Sequence, residues 1–339
     1  MGDPQTFAFV RWDVLDGDNQ TVGTVTPADS GTFTSKEGVR QVRGMRLFPG
    51  SGFDPYASRL RPTWVEGGVD TPLGIFVAVA GTDEWVRYQN PSGPTVGYVE
   101  TWDLQDLTAR LDVPLLGSVG LAQGATVSDL IVELLEAAGI VDHEVTFFPV
   151  GAVEPATWEQ GRDTTLAAVE DLVDTVGGRF FFDADGVAIA EATPAPGDLS
   201  VDRVYDTDGT ILEAPVYGRD PFAANRWERV GGTDVAPIVG TYDLPADAAN
   251  SYANRGFVVL DRRDTVATDS ATATAAAQAA AVDAVGSADT VDFSTVVEPA
   301  TGAWECVSVD GVLYVESSWA YDLRGDAQQT HTAGRVFVP

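Results

Sequence analysis

Lysine is almost missing from this sequence. Lys36 is the only one, and arginine supplies the other 19 of its 20 Lys and Arg residues. Against them stand 51 Asp and Glu, which leaves 20 − 51 = −31 formal charges at pH 7. So acidic a surface repels phosphate, which disfavours an open nucleic-acid-binding face and any sequence-specific reading of nucleic acid. Two causes fit such a balance. An acidic, lysine-poor chain suits a high-salt cytoplasm, where self-repulsion is screened within a few Å; a GC-rich coding sequence would also favour Arg, Ala, Gly, Asp and Val over Lys. The size of the imbalance favours the first.

Cysteine, histidine and long apolar runs are equally scarce. Cys306 is alone, so no intrachain disulfide and no cysteine zinc site can form. It sits in the alternating stretch Trp304-Glu305-Cys306-Val307-Ser308-Val309, which makes it a small buried hydrophobe of a strand. His143 and His331 are the two histidines, and neither lies near a Ser-Gly or Cys motif of the elbow type. Each reads as a solvated or strand-packed side chain, since histidine catalysis needs partners within reach. No Gly-x-Gly-x-x-Gly, Walker loop or His-Glu-x-x-His occurs. No apolar run approaches the roughly 18 residues of a membrane helix, and Met1-Gly2-Asp3-Pro4-Gln5 lacks the basic flank and apolar stretch of a signal peptide. The expectation is a soluble, non-enzymatic protein that is not exported by the usual route. No catalytic, metal-ligating or cofactor-binding residue is assigned.

What is present is ample apolar material, 44% of 339 residues, enough for more than one core. The first hundred residues read as short strands. Phe7 to Val14 alternates up to a turn at Asp16-Gly17-Asp18-Asn19, Thr21–Val25 resumes, Gly38–Phe48 follows, and Arg59–Trp64 leads to Pro72–Val79. Thr95–Trp102 closes this set. The period then changes to helical. Asp103–Leu111 reads as a short helix capped by Asp103; a clearer one starts at the cap Thr126 and stops at Gly139. A third runs over Thr164–Val176 to Gly177-Gly178 and feeds a hairpin, Arg179–Phe182 and Val187–Ala190, turned by Asp183-Ala184-Asp185-Gly186. Strands return from about residue 200, interrupted by an alanine-dominated helix over 269–286, and end in a hairpin turned at Gly325-Asp326. The fold class is therefore α+β and β-rich. Two barrel-like β domains, 1–102 and 201–339, flank a smaller α+β domain at 103–200.

Three features offer chemistry and yield little. With 51 acids, some carboxylate pair falls at glycosidase spacing by chance, so proximity alone identifies nothing. Asp183-Ala184-Asp185-Gly186 and Asp206-Thr207-Asp208-Gly209 resemble half a calcium loop but lack the later acidic ligands, and read as turns. Arg40, Arg43 and Arg46 recur every three residues. On a regular strand 40 and 46 share a face and 43 opposes them, so they form no continuous basic stripe; contact with an acidic neighbouring subunit explains them at least as well as a DNA channel does.

The order of elements resembles the tail hub (baseplate hub, tail-tip or tail-associated) proteins of long-tailed phages and archaeal tailed viruses. The resemblance rests on Arg59-Leu60-Arg61-Pro62 before Pro72-Leu73-Gly74-Ile75-Phe76-Val77, on Val99-Glu100-Thr101-Trp102-Asp103-Leu104, and on Gly124-Ala125-Thr126-Val127-Ser128-Asp129-Leu130-Ile131 with Leu134 to Ile140. It continues in Trp158-Glu159-Gln160-Gly161-Arg162-Asp163-Thr164-Thr165-Leu166 and in Ala224-Asn225-Arg226-Trp227-Glu228-Arg229-Val230. It spans nearly the whole chain, and the expectation is that no peptidase, lysozyme-like or fibre domain is appended. It implies a homotrimeric virion protein whose two barrel-like domains form a pseudo-sixfold ring at the tail tip. That ring would close the tail tube and join its hexameric tube or distal tail ring to spike or fibre proteins, with the tape-measure protein as a further neighbour. Such a hub is made in the host cytoplasm and inserts into no membrane itself. Strand edges and aromatic anchors, Trp12, Trp64, Trp227 and Trp319 among them, are the expected contacts, although core packing competes for each. The alternatives are a carbohydrate-binding or carbohydrate-cleaving surface protein using acidic residues, and an adhesin or S-layer-like protein, which should carry an export signal.

Overall fold

The computed structural model describes residues 8–90, 93–115, 117–121, 126–146, 156–195, 197–220, 222–233, 236–265, 267–285, 289–323 and 328–336. The expectations placed on Met1–Gln5, Gly124-Ala125, Gly286, Gly325-Asp326 and Phe337-Val338 lie outside them.

Eight strands come first: β1 (Phe9–Leu15), β2 (Thr21–Val25), β3 (Thr32–Lys36), β4 (Val39–Leu47), β5 (Arg59–Glu66), β6 (Val69–Pro72), β7 (Phe76–Asn90) and β8 (Gly93–Asp106). Their inward residues, Trp12, Val14, Phe33, Val42, Met45, Leu60, Trp64, Phe76 and Leu104, pack into one core. Trp319 and Tyr321 from the far end of the chain join it, with Phe33 edge-on to both rings. Strand β8 runs on to Asp106, so Asp103 caps no helix; its Oδ1 accepts from the Gly44 backbone instead. Only Thr108–Leu111 (α1) is helical there, and Asp106 takes the capping role by accepting from Thr108.

The middle of the chain holds β9 (Val119–Leu121), α2 (Val127–Ala137), β10 (His143–Val145), β11 (Ala156–Trp158), α3 (Thr165–Thr175), β12 (Gly178–Phe182) and β13 (Ala188–Ala192). Both longer helices start where their caps dictate. Thr126 Oγ1 accepts from Asp129 N, and Thr164 Oγ1 from Ala167 N. Both end before a left-handed glycine, Gly139 or Gly177, a conformation that costs glycine least. Helix α2 buries Val127, Leu130, Ile131, Leu134 and Leu135, a one-faced stripe, against the apolar face of α3. In the β12–β13 turn, Asp183 Oδ1 accepts from the Asp185 and Val187 backbones; the aspartate is a turn former.

The remainder comprises β14 (Arg203–Tyr205), β15 (Ile211–Arg219), β16 (Arg226–Thr233), β17 (Ala236–Asp243), α4 (Tyr252–Arg255), β18 (Leu260–Asp264), α5 (Ser270–Val285), β19 (Asp289–Val296), β20 (Cys306–Val309), β21 (Val312–Asp322) and β22 (Gln328–Arg335). Helix α5 is the alanine-rich one. Its small side chains allow close approach to β16 and β17: a Cβ on Gly240 would fall 2.0 Å from the Ala273 backbone. Strands β16, β17 and β18 form a separate three-stranded sheet beneath it, with Trp227 in the shared core.

The chain is β-rich, and its largest sheet has the path β15-β19-β22-β21-β3-β4-β8-β7-β5-β1-β2, with β14, β20 and β6 attached off it. Strand β3 pairs antiparallel with β21, Phe33 facing Tyr321, so the first and last parts of the chain share this sheet. Among the described residues no sheet closes on itself, and β15 and β2 stand at the two ends of the path.

Candidate assembly surface

Among the described residues no group of three or more His, Cys, Asp and Glu could hold a metal ion. The two histidines behave differently. His143 Nε2 lies 3.7 Å from Glu136 Oε1 at the end of α2. His331, on β22, is buried between strands: its Nδ1 bonds Glu316 Oε1 on β21, its Nε2 lies 2.8 Å from Thr295 Oγ1 on β19, and its ring stacks on Phe293 at 4.6 Å. The Thr295 hydroxyl donates its one proton to the Val296 carbonyl at 2.9 Å, so it must accept from Nε2–H. One further proton is then shared between Nδ1 and Glu316. Burial pushes the Glu316 carboxyl up, and the bond from His331 opposes that shift. A hydroxyl, an imidazole and a carboxylate in series are the parts of a hydrolytic triad, but here they are enclosed and no substrate reaches them. Sequence reasoning missed Glu316 and Thr295, because the three residues meet only through the β19–β22–β21 pairing. Cys306 is buried in β20 and burial raises its thiol pKa, as befits an inert core residue.

The arginines of β4 separate otherwise than by simple alternation. Arg40 points into the protein, whereas Arg43 and Arg46 both lie outside, bonded to Gln41 and to Glu84 (3.4 Å) respectively. The cause is a bulge against β8 between Val42 and Met45, with Gly44 at φ 73°, which inverts the inward set from Arg40 and Val42 to Met45 and Leu47. Arg46 therefore shares a face with Arg43 and not with Arg40.

The four tryptophans expected as anchors, Trp12, Trp64, Trp227 and Trp319, are core residues. Exposed apolar side chains lie elsewhere. Strand β15 turns Leu212, Val216 and Tyr217 outward, and Pro215, which has no N–H to donate, suits its edge position. At the other edge Val22 of β2 is exposed. The third place is the hairpin of β7 and β8. Beyond the ladders to β5 and β4, seven residue pairs from Glu84↔Val99 to Asn90↔Gly93 continue as a two-stranded ribbon, ~20 Å at about 3.4 Å per residue. Trp85 on this ribbon is 74% exposed and rests edge-on against its cross-strand partner Tyr98 at 5.5 Å. The bond to Asp83 pushes the Tyr98 phenol up to about 12.

No known protein family matches the sequence, and no curated protein is recognisably similar to it. Solved structures do match. The tail protein of Neisseria meningitidis MC58 superposes with a TM-score of 0.60 at 12% identity, covering 96% of this chain and 97% of that one. The 43 kDa tail protein of prophage MuSo2 from Shewanella oneidensis also gives 0.60 at 12% identity, covering 97% and 98%. A type VI secretion system component of E. coli, described as structurally similar to the T4 bacteriophage tail proteins gp27 and gp5, gives 0.51 at 9% identity, covering 99% and 78%. The chain has the fold of these proteins from end to end.

Proposed function

We propose that this chain is a structural protein of a virion tail, and within it the central hub of the tail tip or baseplate. The observation that carries this reading is the end-to-end match to two phage-type tail proteins at a TM-score of 0.60. The similarity to a secretion component itself compared with gp27 and gp5 supports the hub position. On this reading the subunit is a homotrimer and no enzyme, with 1–102 and 201–339 as its barrel-like domains around 103–200. It meets the hexameric tail-tube or distal tail ring on one side and spike or fibre proteins on the other. The exposed sheet edges at β2 and β15 and the β7–β8 ribbon suit it to ring formation, because unpaired strand edges are templates for a neighbour and head-to-tail contacts close into rings.

The test is co-assembly. The purified protein is mixed with its tail-tube protein at about 0.15 M and at molar salt, where the screening length falls to about 3 Å, and the complexes are sized by light scattering and imaged. A trimer seated on a hexameric ring supports the hub. A protein that stays monomeric at both salts and never associates with the tube refutes it.

A further inference from the structure

Arg40 is the most deeply buried cation among the described residues, at 4% exposure. Its backbone N–H donates to Asp106 Oδ2 at 2.7 Å, yet its side-chain Nε and Nη1 have no protein acceptor. Guanidinium nitrogens are donors only, and leaving them unmet in a low-dielectric interior is costly. Asp106 is the largest charge offsetting the burial of Arg40, although burial pushes its own carboxyl up to about 6. The Asp106 oxygens are already engaged, accepting from the Arg40 and Thr108 backbones and the Thr108 hydroxyl.

The guanidinium stands between two spaces. Outside is a cleft of about 380 Å³ between the β12–β13 turn and residues 300–305, where Trp304 Nε1 is a second buried donor without an acceptor. Inside is a chamber of about 130 Å³ lined by Phe33, Arg40, Thr71, Leu73, Ala184 and Thr301, among others. Among the described residues no acidic side chain lines the inner chamber, and Arg40 is the one charged group there. Three of the four acids of the outer cleft, all but Asp185, hold other partners. Asp183 holds its own turn, Asp202 accepts from Cys306 N, and Glu305 pairs with Arg203. The chamber is far larger than the roughly 10–15 Å³ that one water occupies.

The structure assigns this chamber as a binding site for a small monovalent anion, a halide or a formate-sized carboxylate, held by Arg40 with the Thr71 hydroxyl beside it; the Thr301 hydroxyl is committed to the Glu298 carbonyl. The anion supplies the acceptors that Arg40 lacks, in a pocket whose apolar walls strengthen a charge-assisted bond. An anion site in a chain of net charge −31 is the opposite of what bulk electrostatics would select, so it depends on local burial.

The experiment uses the full chain. Crystals grown without halide are soaked in sodium bromide, and anomalous scattering is recorded with and without competing sodium formate. The expected result is a bromide peak beside Arg40 that formate displaces; water density with no anomalous peak overturns the assignment. In solution, the melting temperature in sodium chloride should exceed that in sodium gluconate at matched ionic strength by a few degrees. That difference should vanish in Arg40→Met and shrink in Thr71→Val. Persistence of the full difference in Arg40→Met would overturn the site, and the bromide measurement on the unaltered protein decides the matter if that variant does not fold.

Discussion

Removing the Glu316 carboxylate tests the buried His331 arrangement most directly. In Glu316→Ala the imidazole keeps its place between β19, β22 and β21 but its Nδ1 loses its partner, in a site closed to water. Breaking one side of a buried pair costs about 3–5 kcal/mol, because the remaining polar group is stranded. Replacing both sides by apolar residues of similar volume, Glu316→Leu with His331→Phe, removes the stranded group and keeps a ring stacked on Phe293. That double variant should lie within about 1 kcal/mol of the parent or above it. The two single changes should therefore be strongly non-additive, by roughly 2 kcal/mol or more. A chain with several cores does not unfold in one step, so the readout is hydrogen exchange of the β22 amides, which reports the opening of this sheet. A loss below about 1 kcal/mol in Glu316→Ala, or additivity in the double variant, would refute the bookkeeping that puts a shared proton between Nδ1 and Oε1.

Three further outcomes are expected. Asp106 has its pKa raised from 3.8 to about 6 by burial, so the folded state holds the proton more tightly; its contribution to stability is fully present below about pH 4 and is lost as pH rises through 6. A rise of that size corresponds to about 3 kcal/mol, so the stability of the parent relative to Asp106→Asn should fall by up to that amount between pH 4 and 7, as read by hydrogen exchange of the β8 amides; a flat difference would contradict it. Gly240→Val forces a Cβ into the Ala273 backbone and should destabilise the α5 unit by about 1–3 kcal/mol or more, measured by exchange of the β17 amides. Trp85→Ala, on an exposed ribbon, should leave stability within about 0.5 kcal/mol of the parent and, on the proposed function, weaken co-assembly with the tail tube; unchanged assembly would remove the ribbon from the interface.

The elements that could be read from sequence are those whose signals are local. The caps Thr126 and Thr164 and the glycines Gly139 and Gly177 bound their helices to within a residue or two. The Asp183–Gly186 turn carries its own geometry. What failed depends on residues far apart. The strand expected over Pro72–Val79 runs on as β7 to Asn90, and the ring of Trp102 lies over Gly81, where a Cβ would sit 2.3 Å from it. Arg46 changes face because of a bulge whose partner residues are some 60 positions later. Trp12, Trp64 and Trp319 are buried together only because β21 returns to β3. The assembly surface was illegible for the same reason: an edge strand such as β15 is defined by the absence of a neighbour on one side, and no local pattern encodes that. Arg40 looked like one of three evenly spaced surface arginines, and its isolation beside a chamber emerges only from packing.

The pairing of β3 with β21 also has a consequence in time. Strand β21 begins 276 positions after β3 ends (312 − 36). At synthesis rates of about 5–20 residues per second, β3 waits roughly 15–55 s for its neighbour. During that interval its backbone presents an open ladder to any passing strand. A chain cut short before residue 312 never completes the sheet. The last strands thus act as a proof of completion, since the core around Phe33 closes only when Trp319 and Tyr321 arrive.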